Sequence, residues 1–127
     1  MHKPRLILAD DHAILREGLA LLLASEVEIV ATASNGRELL EAVRRLKPDI
    51  VVADLTMPLL GGIEALQLLR NEGIACRFII LTVHADPAIA AEAMRAGAMG
   101  YVVKEAAGEE LIQALRLVMT GRAPLKR

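Results

Sequence analysis

Short apolar runs alternate with amphipathic stretches along the whole chain. Leu6-Ile7-Leu8-Ala9 is apolar and stops at Asp10-Asp11. A run without polar interruption suits a strand covered on both faces. From Ala13 to Ala24, Ile14, Leu15, Leu19, Leu22 and Leu23 recur at helical spacing, which predicts a helix with an apolar, core-facing stripe. Val27 to Ala33 reads as a second strand, and Glu28 and Thr32 interrupt it as an edge position would allow. Ser34-Asn35-Gly36 is a turn and helix start. Arg37 to Leu46 then carries Leu39, Leu40, Val43 and Leu46 on one face. Lys47-Pro48-Asp49 ends that helix, because the residue before proline disfavours helical geometry. Ile50-Val51-Val52-Ala53 is the third strand, ending at Asp54.

After a loop containing Met57-Pro58 and Gly61-Gly62, Ile63 to Arg70 reads as a helix with Gly73 in its C-terminal cap. Phe78-Ile79-Ile80-Leu81 is the fourth strand and ends at Thr82. Asp86-Pro87 starts a helix, with Asp as N-cap and Pro at the first helical position, that runs to Ala96 and stops at Gly97. Tyr101-Val102-Val103 is a short fifth strand ending at Lys104. Glu109 to Met119 is a last helix, with Leu111, Ile112, Leu115 and Val118 inward and a cap near Gly121. Five strands and five helices in strict alternation predict an α/β fold. It is a doubly wound (βα)5 arrangement, a five-stranded parallel sheet with right-handed crossovers and helices on both faces.

Composition narrows the function. The chain has 127 residues, one domain's worth, and needs no disulfide or metal staple for stability. Its 54% hydrophobic and 24% charged residues exclude a disordered chain. Lys+Arg total 15 against Asp+Glu 16, which argues against direct nucleic-acid binding and against a polybasic membrane anchor. The lone Cys76 points to a reducing compartment. The longest apolar run, Leu19 to Ala24, is too short to span a bilayer, and no secretory signal is visible. A cytoplasmic domain over residues 1–121 is expected, with the basic, proline-containing 122–127 as the start of a linker or tail.

Ligands of open parallel sheets bind beyond the carboxyl ends of the strands. Four of the five strand ends carry a functional group there: Asp10-Asp11, Asp54, Thr82 and Lys104. Bare carboxylates on one edge would repel one another, and a hard, oxygen-loving cation such as Mg²⁺ would relieve that cost. With a lysine beside it, the corner could accept a phosphoryl group on a nucleophilic carboxylate. Each residue also has a plainer reading. Asp10 and Asp11 could cap the first helix, Lys104 could be a solvated lysine, and Tyr101 could be ordinary packing. His12 and His84 read as solvent-facing, since no second histidine stands at ligand spacing. The conjunction of acids, hydroxyl and lysine at four separate strand ends outweighs these.

Taken in order, Asp10-Asp11, Asp54-Leu55-Thr56-Met57-Pro58, Thr82, Tyr101 and Lys104 resemble the receiver domain of bacterial two-component response regulators. The resemblance covers essentially the whole chain. Ile7-Leu8-Ala9-Asp10-Asp11-His12, Arg16-Glu17-Gly18-Leu19 and Gly97-Ala98-Met99-Gly100-Tyr101 resemble the NarL- or LuxR-type subfamily in particular. The resemblance implies a flavodoxin-like fold with strand order 2-1-3-4-5. It implies Asp54 as phosphoacceptor from a sensor histidine kinase. It places Mg²⁺ on Asp11 directly, on Asp10 mainly through water, on Asp54, and on the backbone carbonyl of Thr56. Lys104 would pair with the phosphoryl group, and Thr82 and Tyr101 would move as switch residues, altering the face of the fourth helix, fifth strand and fifth helix. Thr56 and His84 would tune the phosphoryl lifetime. Such a domain is not an enzyme beyond catalysing its own phosphoryl transfer and autodephosphorylation.

Departures from the family pattern are Gly61-Gly62, where Asp-Gly is frequent, and Glu105 after Lys104, where proline is frequent. The second glycine is expected to loosen its loop without touching a proposed catalytic atom, and a trans bond is expected at Glu105. A DNA-binding output domain would lie outside this chain. A homodimer could use the first and fifth helices, or the fourth helix and fifth strand. Competing readings are a haloacid-dehalogenase-type hydrolase, a flavodoxin-like cofactor binder and a stand-alone or degenerate receiver acting as an interaction module. The first lacks its Asp-x-Asp pattern, since Thr56 stands third. The second lacks a Gly-rich loop and aromatics. The complete set of acids, Thr and Lys argues against a degenerate receiver.

Overall fold

Each apolar run becomes a strand and each amphipathic stretch a helix. A computed structural model of the chain describes residues 3–83 and 85–120. The elements are β1 (Arg5–Ala9), α1 (Ala13–Leu23), β2 (Glu28–Ala33), α2 (Gly36–Leu46), β3 (Ile50–Asp54), α3 (Gly62–Asn71), β4 (Arg77–Thr82), α4 (Pro87–Ala96), β5 (Gly100–Val103) and α5 (Ala107–Met119). All pairings are parallel and the order is β2-β1-β3-β4-β5, so β2 takes the edge its polar residues suggest. The β1·β2 register shifts between Leu6 and Ile7.

Alternate residues of the inner strands feed two separate cores. Ile7, Val51, Phe78 and Ile80 pack with Leu39, Val43, Leu66 and Leu69 beneath α2, α3 and α4. Leu6, Leu8, Val52, Ile79 and Leu81 pack with Leu19, Leu23, Leu111, Leu115 and Val118 beneath α1 and α5. Strands buried on both sides have no solvent face, which is why their sequence is apolar without alternation.

The caps follow from local chemistry. Asn35 accepts from Glu38 N at 2.9 Å while Glu38 Oε1 accepts from Ser34 N at 2.8 Å, tying both ends of the first turn of α2. Asp86 caps α4 by accepting from Ala88 N at 2.9 Å, with Pro87 next. Gly97 closes α4 at φ 113°, a conformation that penalises any Cβ.

Two expectations change. Ile14 is 88% exposed and Leu22 38% exposed, so the apolar stripe of α1 is narrower than its sequence suggests. α1 meets the sheet along Leu15, Leu19 and Leu23, spaced four apart, and Ile14 sits about 100° round the helix from Leu15. The last helix begins at Ala107, two residues before Glu109, because Lys104–Ala106 form a single 3-10 turn that leads straight into it. Its last turn closes on Thr120, while Gly121 and the expected tail at 122–127 lie outside the described residues. No cis peptide bond occurs among the described residues, in keeping with a trans bond at Glu105. No described helix is long and apolar enough to cross a membrane.

Two predictions follow from burial. Phe78 has no exposed surface, so Phe78→Ala is expected to cost about 3–5 kcal/mol in chemical denaturation, a large part of a domain's stability. Burial pushes the Cys76 thiol from 9.0 up to about 11. Its alkylation at pH 8 should therefore run roughly 100-fold slower than that of an open thiol and keep rising past pH 10. A rate that levels off near pH 9 would contradict this.

Candidate functional site

Parallel strands end on the same side, so β1, β3, β4 and β5 deliver their terminal polar residues to one edge. The ladders hold these residues firmly. Asp10 N donates to Ala33 O at 3.0 Å, just past β1, and Leu55 N donates to Leu81 O at 2.7 Å, just past β3. Arg16 Nη1, one turn into α1, donates to the Asp10 carbonyl at 2.6 Å. Sequence reasoning missed this support, because nothing in the spacing marks an arginine that reaches a backbone oxygen.

Asp10 and Asp54 are both buried, and Lys104 bridges them. Its Nζ donates to Asp54 Oδ2 at 2.7 Å and lies 2.9 Å from Asp10 Oδ2. Asp10 Oδ2 is nevertheless without a hydrogen bond of ordinary geometry. The other oxygen, Oδ1, accepts from His12 N at 2.8 Å and lies 3.1 Å from His12 Nδ1. Asp10 therefore serves the corner rather than the N–H groups of α1, whose N-cap is His12. Asp11 is exposed, with Oδ1 3.4 Å from His12 Nδ1. Thr56 is exposed, and its N–H reaches Asp54 Oδ1 at 3.3 Å.

Thr82 is buried at the end of β4. Tyr101 is half-buried on β5, and its hydroxyl lies 3.4 Å from Asp86 N and 3.5 Å from Asp86 O, at the residue that caps α4. The corner thus joins Asp10, Asp11, Asp54 and Lys104, and Tyr101 reaches the start of α4. His84 lies outside the described residues.

Gly61 and Gly62 pack close to the backbone that presents Asp54, without meeting a proposed catalytic atom. Gly62 N donates to Leu55 O at 3.1 Å, and a Cβ on Gly62 would stand 2.6 Å from the Asp54 carbonyl. A Cβ on Gly61 would collide with the Leu55 carbonyl. The start of α3 is seated directly on the backbone that presents Asp54, and the missing side chains allow that approach.

Charge is crowded here. Burial raises the pKa of Asp54, Lys104 pulls it back down in part, and the neighbouring charge of Asp10 raises it further. For Lys104, burial works against the ammonium, but its bonds to Asp54 and Asp10 outweigh that and raise its pKa. The two partners shift the same way, which an isolated salt bridge would not produce. The reason is stoichiometry: Lys104 answers two carboxylates, while Asp54 shares one ammonium and lies deep. Three carboxylates with one ammonium leave the corner short of positive charge. Ligand atoms of Asp10, Asp11, His12 and Asp54 lie within 4.8 Å of one another. Oxygen donors in excess of the one ammonium make this set fit a divalent cation.

Residues 6–116 match the family model for the response regulator receiver domain. The chain belongs to that family. It is 38% identical over 119 residues to the transcriptional regulatory protein LnrK of Bacillus subtilis strain 168, covering 92% of this chain and 54% of that protein. It superposes with a TM-score of 0.89 on a LuxR-family two-component response regulator from Aurantimonas sp. SI85-9A1, at 41% identity, covering 96% of this chain and 91% of that one. The signal receiver domain of the putative response regulator NarL from Mycobacterium tuberculosis gives a TM-score of 0.91 at 29% identity, with 96% and 100% coverage. The receiver spans about half the length of the curated relatives it matches.

The raised pKa of Asp54 has a consequence for stability. A folded-state pKa above the ordinary value means that the ionised carboxylate opposes folding at neutral pH, and that this cost disappears as pH falls through the raised pKa. Asp54→Asn should therefore raise the Tm of the metal-free receiver at pH 7, with the gain shrinking toward pH 4. A lower Tm at pH 7 would show instead that the Lys104 pair outweighs burial.

Proposed function

We propose that this receiver takes a phosphoryl group onto Asp54 from the phosphohistidine of a sensor histidine kinase, in a Mg²⁺-dependent reaction. The observation that carries the reading is the buried Asp54 carboxylate held at 2.7 Å by Lys104 beside two further acids. A carboxylate oxygen of Asp54 attacks phosphorus, the bond from phosphorus to the imidazole nitrogen breaks, and the leaving imidazole takes a proton. Lys104 fixes one carboxylate oxygen and stays charged, so it can follow the negative charge onto the incoming phosphoryl group. Asp10, Asp11, Asp54 and the Thr56 carbonyl would hold Mg²⁺. When bound, it would neutralise oxygens of the phosphoryl group as charge redistributes.

The phosphoryl group adds negative charge and strong acceptors where a carboxylate stood. Thr82, buried on the neighbouring strand, would answer that charge with its hydroxyl. Tyr101 would move with it and leave the N-cap of α4, altering the face formed by α4, β5 and α5. Thr56 and His84 would set how long the acyl phosphate survives. The domain acts as a cytoplasmic signalling switch and turns over only its own phosphoryl group. Its output is a DNA-binding domain beyond this chain, in keeping with LnrK being a transcriptional regulatory protein.

Incubation of the chain with acetyl phosphate and Mg²⁺, followed by intact mass, tests this. One phosphoryl adduct is expected on the wild type, none after chelation and none on Asp54→Ala. An unlabelled wild type, under conditions that label a known receiver, would favour a degenerate receiver that works as an interaction module.

A further inference from the structure

Arg16 enters no step of the reaction above and stands outside the acidic cluster. It lies in the first turn of α1, where its backbone N donates to His12 O at 2.9 Å. A cation there meets the positive end of the helix dipole, so local helix electrostatics disfavours it. The half-buried side chain turns back along the chain instead, and Nη1 donates to the Asp10 carbonyl at 2.6 Å.

That carbonyl belongs to the peptide joining Asp10 to Asp11. The peptide is planar, so holding its oxygen fixes its plane and the direction in which Asp11 leaves it. The Asp10 side of this turn has other support. Asp10 N donates to Ala33 O at 3.0 Å, and Asp10 Oδ1 accepts from His12 N at 2.8 Å. The Asp11 side has less. Among the described residues the Asp11 carboxylate accepts no hydrogen bond, and it comes only within 3.4 Å of His12 Nδ1. Its place is therefore set by its backbone, and Arg16 is the side chain that holds that backbone. The start of α2 also favours a cation here. The N–H and hydroxyl of Ser34 keep Glu38 below the ordinary carboxylate range, and the charge of Arg16 adds to that effect.

We propose that Arg16 is a positioning residue that sets the divalent-cation affinity of the receiver by fixing the Asp10–Asp11 peptide. The inference rests on the reading that the acidic corner holds Mg²⁺. Positioning and plain charge predict opposite signs. A guanidinium this near the corner repels an incoming cation, so removing its charge alone would tighten binding. Removing the hydrogen bond that aims Asp11 would weaken it, as loss of a group that orients metal ligands does.

The full chain is titrated with Mn²⁺, followed by the EPR signal of the free ion, as wild type, Arg16→Met and Arg16→Lys. Methionine keeps an unbranched, helix-favouring stem, and lysine keeps the charge and a donor. Thermal unfolding without metal is recorded for all three. Labelling by acetyl phosphate is then measured at limiting and at saturating Mg²⁺. Expected are a loss of Mn²⁺ affinity of about tenfold in Arg16→Met, a partial recovery in Arg16→Lys, and slow labelling of Arg16→Met that saturating Mg²⁺ restores. Unchanged or tighter Mn²⁺ binding in Arg16→Met would overturn the proposal, including where its metal-free Tm falls, since Arg16 would then serve only the stability of α1. An equal loss in Arg16→Lys, or a labelling deficit that saturating Mg²⁺ leaves in place, would also overturn it. These outcomes leave the phosphoacceptor reading standing, whereas a wild type that binds no Mn²⁺ would overturn both.

Discussion

Two buried carboxylates compete for a single ammonium, with a third acid at the rim, and much of this molecule is arranged around that shortage. Lys104 stands 2.7 Å from Asp54 Oδ2 and 2.9 Å from Asp10 Oδ2, one ammonium between two buried carboxylates. A corner satisfied by its own lysine would be inert. A corner with more carboxylate than ammonium charge favours an added cation.

The fold supplies the geometry at little cost. Parallel pairing brings the ends of β1, β3, β4 and β5 to one edge, and the two cores fix those strands from both sides. Backbone contacts then refine the corner. The Asp10 carbonyl is held by Arg16, and the Asp54 backbone is held under Gly62. None of these contacts belongs to the reacting groups, but each limits where a carboxylate can stand. On the far side, the Tyr101 hydroxyl rests against Asp86, so a side chain of β5 and the cap of α4 share one small contact.

Much of this was legible in the sequence. The two-sided burial of β1, β3 and β4 shows as uninterrupted apolar runs, so strand identity, and with it the acids at strand ends, could be read directly. Asn35 and Asp86 announce their caps because capping depends on one residue and its near neighbours. What escaped depends on contacts distant in sequence. Ile14 has the right spacing for a core stripe, but α1 presents Leu15, Leu19 and Leu23 to the sheet and leaves Ile14 outside. Gly61 and Gly62 look like slack until the Asp54 and Leu55 carbonyls are seen against them. His12 looks solvent-facing, and its ring is exposed, yet its Nδ1 is turned to the acids.

The two outermost strands bear on a different property. A parallel sheet that does not close presents unpaired backbone along both rims, and such rims can recruit strands from other molecules. Here β5 offers only four residues, and β2 carries the exposed Glu28 and Thr32 together with its break in register beside Leu6 and Ile7. A short rim and a bulged, polar one make poor templates. The chain can thus hold a sheet rich in Val, Ile and Leu at its centre while guarding its margins against fibrous self-association.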